Sequence, residues 1–225
     1  MNFNLHIDQN NPLKELLEKY LLALLQNDRH EASTLILDAV KTGTTIKDIY
    51  LYVFQPSQYE IGRLWQYNKI TVAQEHFCTA ATQLVMSQLY PFIFKTEKNG
   101  YKLVATCIGG ELHEIGIRMV SDFFEMDGWD TYYLGANTPT DSIISTIEST
   151  EANVLAISAS MFFHIDSIKQ LIQNVKSTID NTKLKVIAGG RPFVTQNKLW
   201  KEVHADGNGK DAQEAIQTAR SLVGL

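Results

Sequence analysis

The chain contains few of the residues that mark several functional classes. Only two of its 225 residues are cysteines, Cys78 and Cys107, and they form no C-x-x-C motif, so neither a disulfide framework nor a zinc site is indicated. No apolar run approaches the roughly 20 residues of a membrane span, and the first residues lack the apolar segment of a secretory signal. We therefore expect a cytoplasmic protein with two buried free thiols and no membrane partner.

Concentrated positive charge is also absent. The 20 Lys and Arg residues are outnumbered by 25 Asp and Glu, the formal net charge is -5, and the basic residues form no run. Because phosphate contacts need a basic face, we do not expect direct binding to nucleic acid. The hydrophobic fraction of 44% and the charged fraction of 20% are those of an ordinary globular protein.

The first half of the chain has helical periodicity. Leucines recur at helical spacing after Pro12, and similar patterns follow as far as Pro91. Pro56 is expected to kink or restart the third helix. Four helices joined by short turns predict an antiparallel bundle. The predicted helices cover residues 12–26, 30–40, 46–67 and 71–91.

The second half alternates short apolar runs with helical patterns, which predicts a parallel sheet covered on both faces, of the flavodoxin-like (Rossmann-like) α/β type. The predicted strands are 103–108, 129–134, 154–158 and 185–188, and the predicted helices are 112–126, 140–150, 165–177 and 211–223. Residues 206–211 are predicted to form a turn whose Asp211 caps the last helix. We accordingly expect an N-terminal tail (1–11), a four-helix bundle cap (12–94), a linker (95–101) and an α/β domain (102–225).

One motif lies where the first predicted strand ends. Gly109-Gly110 is followed by Glu111-Leu112-His113-Glu114-Ile115-Gly116. A histidine can offer one ring nitrogen to a metal while a nearby carboxylate holds the other and fixes the tautomer. The spacing therefore predicts His113 as a metal ligand that Glu111 orients. Ser158 and Gly189-Gly190 also fall at carboxyl ends of predicted strands, where ligands bind in such sheets.

Together with Ser158-Ala-Ser160 and Gly189-Gly190 downstream, this motif resembles the cobalamin-binding domain, whose pattern is D-x-H-x-x-G, then S-x-L, then G-G. The resemblance implies that His113 replaces the cofactor's own base as lower cobalt ligand, the base-off/His-on form. Ser158 and Ser160 would lie beside the displaced nucleotide tail, and the paired glycines would leave room for it. Two residues depart from the pattern: Glu111 stands where Asp is commoner, and Ser160 stands where Leu or Thr is more usual. The predicted contacts of the cofactor in this half also include Leu112, Ile115 and Gly116.

The helical half carries a second resemblance. Trp65 followed by Glu75-His76 is similar to the cap of CarH-type adenosylcobalamin photoreceptors, over about residues 45 to 225. It implies adenosylcobalamin as cofactor, held between cap and sheet domain, with Trp65 over the corrin and Glu75 and His76 beside the adenosyl group. Gln66 stands where such relatives have a histidine that binds cobalt after photolysis, so we expect a water-ligated lit state.

These resemblances imply a light-responsive adenosylcobalamin sensor in transcriptional regulation, with no enzymatic turnover. No DNA-binding domain is found before the cap, so we expect a standalone sensor that acts through a regulatory protein partner or through ligand-dependent homo-oligomers. The alternative is a corrinoid protein that carries a methyl group in a methyltransferase system, which the His113 motif does not separate from a sensor. A scaffold that binds cobalamin only to fold or to oligomerise is a third possibility, and a mutase subunit is disfavoured. Outside these motifs, His6, His30, His164 and His204 belong to no constellation and are expected at the surface or around the site.

Overall fold

The protein is described by a computed structural model that covers residues 4–94, 96–180 and 182–225. The chain divides into a helical unit that ends at Ile93 and an α/β unit that begins at Phe94. The predicted tail and the predicted linker include residues 1–3 and Lys95, which lie outside the described residues. Within the described ranges, no helix is both long and apolar enough to cross a membrane.

The helical unit is the predicted four-helix arrangement, and the fold class is confirmed. Helices α1 and α2 precede a third helical segment made of α3, a π-helical turn and α4, and the fourth helix, α5, continues through Pro91. Buried leucines, isoleucines and aromatic residues from all four segments form the core. The bounds are α1 Lys14–Leu25, α2 Arg29–Lys41, α3 Ile46–Ile49, the π-helical turn Tyr50–Phe54, α4 Gln55–Gln66 and α5 Val72–Ile93.

Pro56 explains the change of helical type in the third segment. A proline lacks the backbone N–H that would bond the carbonyl four residues earlier, here that of Tyr52. The chain widens into a π-helical turn just before this point, with the Gln55 N–H bonded to the Tyr50 carbonyl. The Tyr52 carbonyl instead accepts a hydrogen bond of 2.8 Å from the Asn11 side chain. Helical structure therefore continues through Pro56, from the π-helical turn directly into α4.

The segment before α1 is bonded to the bundle. The buried carboxylate of Glu60 accepts a hydrogen bond of 2.9 Å from the His6 N–H, and Arg63, which is paired with Glu60, donates to the Asn4 carbonyl at 3.0 Å. Together with Asn11, these contacts hold residues 4–11 along α4 and the π-helical turn.

The α/β unit is a five-stranded parallel sheet with helices on both faces. Strand order is β2-β1-β3-β4-β5, which is the flavodoxin-like order. Helix α6 packs against α11, and α7 packs against α8. The strands are β1 Lys102–Ile108, β2 Asp130–Thr138, β3 Val154–Ser158, β4 Lys185–Gly189 and β5 Gly207–Gly209; the helices are α6 Ile115–Met126, α7 Thr140–Thr150, α8 Ile165–Thr178, α9 Arg191–Thr195, α10 Leu199–Glu202 and α11 Ala212–Val223.

The sequence missed the edge strand β5 and the short helices α9 and α10. Residues 207–209 were predicted as part of a turn because Gly-Asn-Gly has almost no β-propensity. The structure pairs them with Ile187–Gly189 of β4. Glycine is required there because a Cβ on Gly209 would lie 2.6 Å from the backbone nitrogen of Ala215 in α11. The predicted Asp211 cap is confirmed, since its side chain accepts from the Glu214 N–H at 2.8 Å.

We predict that Gly209→Ala lowers the free energy of unfolding by roughly 1–3 kcal/mol, because α11 must move away from the sheet to admit the methyl group. Gly109→Ala is the matched control, since a Cβ there meets nothing within 4 Å; its effect should stay within about 0.5 kcal/mol. Urea unfolding followed by tryptophan fluorescence measures both. Equal effects of the two substitutions would contradict the packing argument.

Candidate functional site

The predicted site residues of the α/β unit lie at one edge of the sheet. The parallel register places Cys107, Ser158, Gly189 and Gly209 in one line across four neighbouring strands, at their carboxyl ends. The loop between β1 and α6, which carries the histidine motif, leaves the sheet at the same edge. This is the edge where ligands bind in doubly wound sheets.

Glu111 and His113 are in direct contact. The Nδ1 atom of His113 lies 2.5 Å from the Oε1 atom of Glu111, and the backbone N–H of His113 donates to the same oxygen at 2.9 Å. The Glu111 side chain is 1% exposed and that of His113 is 53% exposed. A proton on Nδ1 that is donated to the carboxylate places the lone pair of the imidazole on Nε2, the atom suited to a metal.

Hydrogen bonds keep the buried Glu111 carboxylate ionised. Burial by itself raises the pKa of Glu111, but the ring and backbone N–H of His113 and the backbone N–H of Ser160 donate to its oxygens and outweigh burial. The net result is a pKa of about 2. Ser160 contributes a bond of 2.8 Å to Oε2. An anionic partner makes the His113 ring more basic and hence a better metal ligand.

The loop that carries Glu111 is fixed by residues that the sequence analysis did not single out. The Asn137 side chain accepts from the Gly110 N–H at 2.7 Å, and the Asn137 N–H donates to the Glu111 carbonyl at 3.0 Å. The Glu114 carboxylate accepts from the Ala136 N–H at 2.9 Å. These bonds tie the loop to the end of β2. Asn137 has a left-handed backbone with φ of 51°, a conformation in which asparagine is enriched among residues other than glycine.

Gly189 and Gly190 have different surroundings. A Cβ on Gly190, where φ is 98°, would lie 2.0 Å from the carbonyl oxygen of Ala159, so glycine is needed for the close approach of two backbones. The predicted reason, space for a ligand, therefore needs correction at Gly190. At Gly189 a Cβ would make ordinary contact, 3.5 Å from the Gly209 carbonyl oxygen. Ser158 is buried at the end of β3, and Ser160 is half-buried.

Space around His113 suits a bulky group. Gly109 and Gly116 flank the motif, and a Cβ at either position would meet no atom within 4 Å. The side chain of Leu112 is 72% exposed, while Ile115 is half-buried. The loop thus presents an imidazole with an apolar neighbour and room on both sides. A corrin would supply the other nitrogen ligands of its cobalt and would need one donor from the protein, so these residues would fit such a group.

The three predicted contacts in the helical unit lie in α4 and α5. Trp65 stands near the end of α4 and is 43% exposed. Glu75 accepts a hydrogen bond of 3.1 Å from Thr79, and its second oxygen lies 3.8 Å from Nε2 of the exposed His76. Gln66 ends α4 and is exposed. Their roles toward a cofactor stay a prediction.

Two family models match the chain, both described as B12 binding domain. One matches residues 101–217, which is the α/β unit, and the other matches residues 16–90 of the helical unit. The first match alone spans more than half of the chain. Both the histidine motif and the helices before it therefore fall within regions that the two models recognise.

Relatives match along nearly the whole chain. A monomethylamine corrinoid protein of Methanosarcina mazei is 24% identical over 216 residues, which are 93% of this chain and 98% of that protein. A corrinoid protein of Desulfitobacterium hafniense is 22% identical over 218 residues, 94% of this chain and 99% of that protein. The solved structure of the Methanosarcina barkeri monomethylamine corrinoid protein is 21% identical, covers 95% of this chain and 100% of that one, and has a TM-score of 0.80. That likeness shows the same fold.

The expectation of a light-responsive adenosylcobalamin sensor is wrong. The relatives that match almost end to end include a corrinoid protein and two monomethylamine corrinoid proteins, and the match includes the helical half on which the photoreceptor interpretation rested. Trp65 and the Glu75-His76 pair do not identify a photoreceptor, because the fold of the Methanosarcina barkeri monomethylamine corrinoid protein matches both the helical unit and the α/β unit.

We predict that neither thiol of the folded protein reacts with a thiol reagent at pH 8. Both cysteines are fully buried. Burial raises the pKa of Cys107 to about 12, helped by the charges of Glu111 and Glu114, and burial likewise raises that of Cys78 to about 12. Because the thiolate is the reactive form, its fraction at pH 8 is on the order of one in ten thousand. Titration with Ellman's reagent should detect both thiols only in guanidinium, and a rapid reaction in the native protein would contradict the prediction.

Proposed function

Because the chain belongs to the B12 binding domain family, whose model matches residues 101–217, we propose that it is a corrinoid protein that carries a methyl group for a partner methyltransferase. The monomethylamine corrinoid proteins that match nearly its whole length support this function over that of a sensor. The chain itself would perform no turnover chemistry, and its partner would be the methyltransferase. Ligand-dependent self-association and a cytoplasmic location are part of the same proposal.

The observation that carries the corrinoid-binding part of the proposal is the contact of 2.5 Å between His113 Nδ1 and Glu111 Oε1. It fixes the tautomer that leaves Nε2 as the metal-binding atom, on a ring that is half exposed. We propose that His113 would hold the cobalt of a corrinoid through its Nε2 atom, in place of the cofactor's own base. A bound corrinoid would supply the cobalt centre at which a methyl group is accepted and released.

The other candidate residues at the carboxyl ends of the strands would hold the rest of the cofactor. Ser158, Ser160 and Gly189 are proposed to lie beside the displaced nucleotide tail, since they end β3 and β4 at the edge that His113 occupies. Leu112 and Ile115 would give apolar contact to the corrin, and Gly116 would give it room. In the helical unit, Trp65, Glu75 and His76 are proposed as contacts on the strength of the sequence.

A second part of the proposal concerns which form of the cofactor is bound, methylcobalamin or adenosylcobalamin. Adenosylcobalamin was expected from the resemblance of the helical half to CarH-type photoreceptors, and that expectation belonged to the sensor interpretation. A methyl carrier instead takes methylcobalamin. The ribose hydroxyls of the adenosyl group can donate hydrogen bonds to the protein, whereas a methyl group offers no hydrogen-bond donor.

Absorbance titration of the full chain with methylcobalamin tests the proposal. The wild type should bind methylcobalamin at least as tightly as adenosylcobalamin, and its spectrum should be that of a histidine-ligated form. His113→Ala should leave any bound methylcobalamin base-off and weaken binding at least about tenfold. Size-exclusion chromatography before and after green light should show the same assembly. No binding of methylcobalamin by the wild type would refute the function, and light-dependent assembly of the adenosyl form would restore the sensor.

We further predict that Gly116→Ala stabilises the apoprotein but weakens its binding of methylcobalamin. Residue 116 lies in the first turn of α6, and a Cβ there meets no protein atom, so alanine should stabilise the apoprotein by up to about 1 kcal/mol. The same methyl group would occupy space proposed for the corrin and should raise the dissociation constant for methylcobalamin. Gln217→Ala, at an exposed position of α11, is the control and should leave binding unchanged. Unaltered binding by Gly116→Ala would exclude Gly116 from the site.

A further inference from the structure

Strand β2 departs from regular pairing beside the histidine motif. Ala105 of β1 pairs with Tyr133 of β2, and Ile108 pairs with Thr138. Between these pairs β1 takes three steps and β2 takes five, so β2 carries two extra residues. A bulge of this kind re-aims the backbone groups of a strand and is common next to binding sites. The extra residues fall within 134–137, the segment that is bonded to the loop of the histidine motif.

The bulge directs two successive N–H groups at this loop. The Ala136 N–H donates to the Glu114 carboxylate at 2.9 Å. The next N–H along the strand, that of Asn137, donates to the Glu111 carbonyl at 3.0 Å. Glu111 precedes His113 by two residues, and Glu114 follows it directly. Adjacent groups of one strand therefore hold the loop on both sides of the proposed ligand.

The Glu114 side chain also bonds the hydroxyl of Tyr133. Burial, the negative charge of Glu114 and this bond raise the pKa of Tyr133, so its hydroxyl stays protonated and remains a donor. Gly135 lies beside both groups. A Cβ at this position, where φ is 77°, would lie 3.0 Å from Oε2 of Glu114 and 3.8 Å from the Tyr133 hydroxyl. Glycine thus lets the carboxylate reach the Ala136 N–H.

We infer that Glu114 is a positioning residue for the axial ligand: through the Ala136 N–H and the Tyr133 hydroxyl, it holds the backbone at His113 against the bulge of β2. The inference rests on the proposed function, since it concerns the ligand of a corrinoid. The sequence analysis gave Glu114 no role. Without its carboxylate, Asn137 would anchor the loop only before His113, and the ring would be less firmly directed.

Three variants separate this role from a local contact. Glu114→Ala removes the carboxylate, whereas Glu114→Gln keeps an oxygen that accepts from the Ala136 N–H. Tyr133→Phe removes one hydroxyl and keeps the ring. Tyr132→Phe is the matched control, because neighbouring side chains of a strand point to opposite faces of the sheet. Thermal unfolding of each apoprotein shows whether the fold is retained.

The first readout is backbone amide hydrogen exchange of the full-length apoprotein, followed by NMR. The His113 amide reports on the loop, since its N–H is bonded to Glu111 at 2.9 Å and not to Glu114. In Glu114→Ala it should exchange at least about fivefold faster than in the wild type. Tyr133→Phe should give a smaller increase in the same direction. Glu114→Gln should stay close to the wild type, and Tyr132→Phe should not differ from it.

Faster exchange that is confined to Ala136 would overturn the inference. Ala136 loses its own acceptor in Glu114→Ala, so its amide responds even if Glu114 makes only a local contact. The His113 amide keeps its acceptor in every variant, and it responds only if Glu114 holds the loop.

The second readout uses cob(II)alamin, prepared by reduction of hydroxocobalamin. Glu114→Ala should raise its dissociation constant roughly tenfold, as expected for a residue that acts on a metal ligand through other groups. Glu114→Gln should raise it less than about threefold. In a His113→Ala background, Glu114→Ala should add less than about a twofold effect, because the two residues act in series. An effect of equal size in both backgrounds would overturn the positioning role.

The outcomes distinguish the inference from the function on which it rests. If the wild type binds cob(II)alamin and the His113 amide is unaffected by Glu114→Ala, the corrinoid function stands and the positioning role is refuted. Failure of the wild type to bind cob(II)alamin would refute the corrinoid function. The exchange measurement would still decide whether Glu114 holds the backbone at His113.

Discussion

The arrangement of the loops at the carboxyl ends of the strands depends on one buried carboxylate, that of Glu111. An ionised side chain that is 1% exposed is costly unless its oxygens are satisfied by hydrogen bonds. Glu111 meets this condition with donors from its own loop and from Ser160, and the surplus of bonding lowers its pKa to about 2. The same bonds determine the direction of the His113 ring. Stability and the proposed metal ligation are thus consequences of one set of contacts.

Backbone packing gives that carboxylate a rigid surrounding. Asn137 joins the end of β2 to the loop of Glu111, and Gly190 allows the end of β4 to approach Ala159, next to the Ser160 N–H that Glu111 accepts. Asn137 and Gly190 thus support the site by holding the protein backbone in place, and neither contact involves a ligand. A loop fixed at several points holds a ligand in place more accurately than a free loop, which favours metal binding at low entropic cost.

Periodicity was sufficient to predict the fold class. The change from helical spacing in residues 12–94 to alternating strands and helices is a strong local pattern, and it gave four of the five strands. β5 was missed because Gly-Asn-Gly carries no apolar side chain, and its pairing depends on β4. Asn137 was missed for a similar reason, since its partners are distant in sequence and only the fold brings it to the loop of Glu111. The Glu111-His113 contact was predictable because its two members are neighbours in the chain.

Electron paramagnetic resonance of the full chain loaded with cob(II)alamin and labelled with ¹⁵N-histidine tests the central claim, that His113 is the axial ligand which Glu111 orients. If a histidine binds cobalt, the label should change the nitrogen splitting from a triplet to a doublet, and His113→Ala should abolish this change. A triplet that survives labelling would mean that the cofactor's own base remains on the metal, and it would contradict the account.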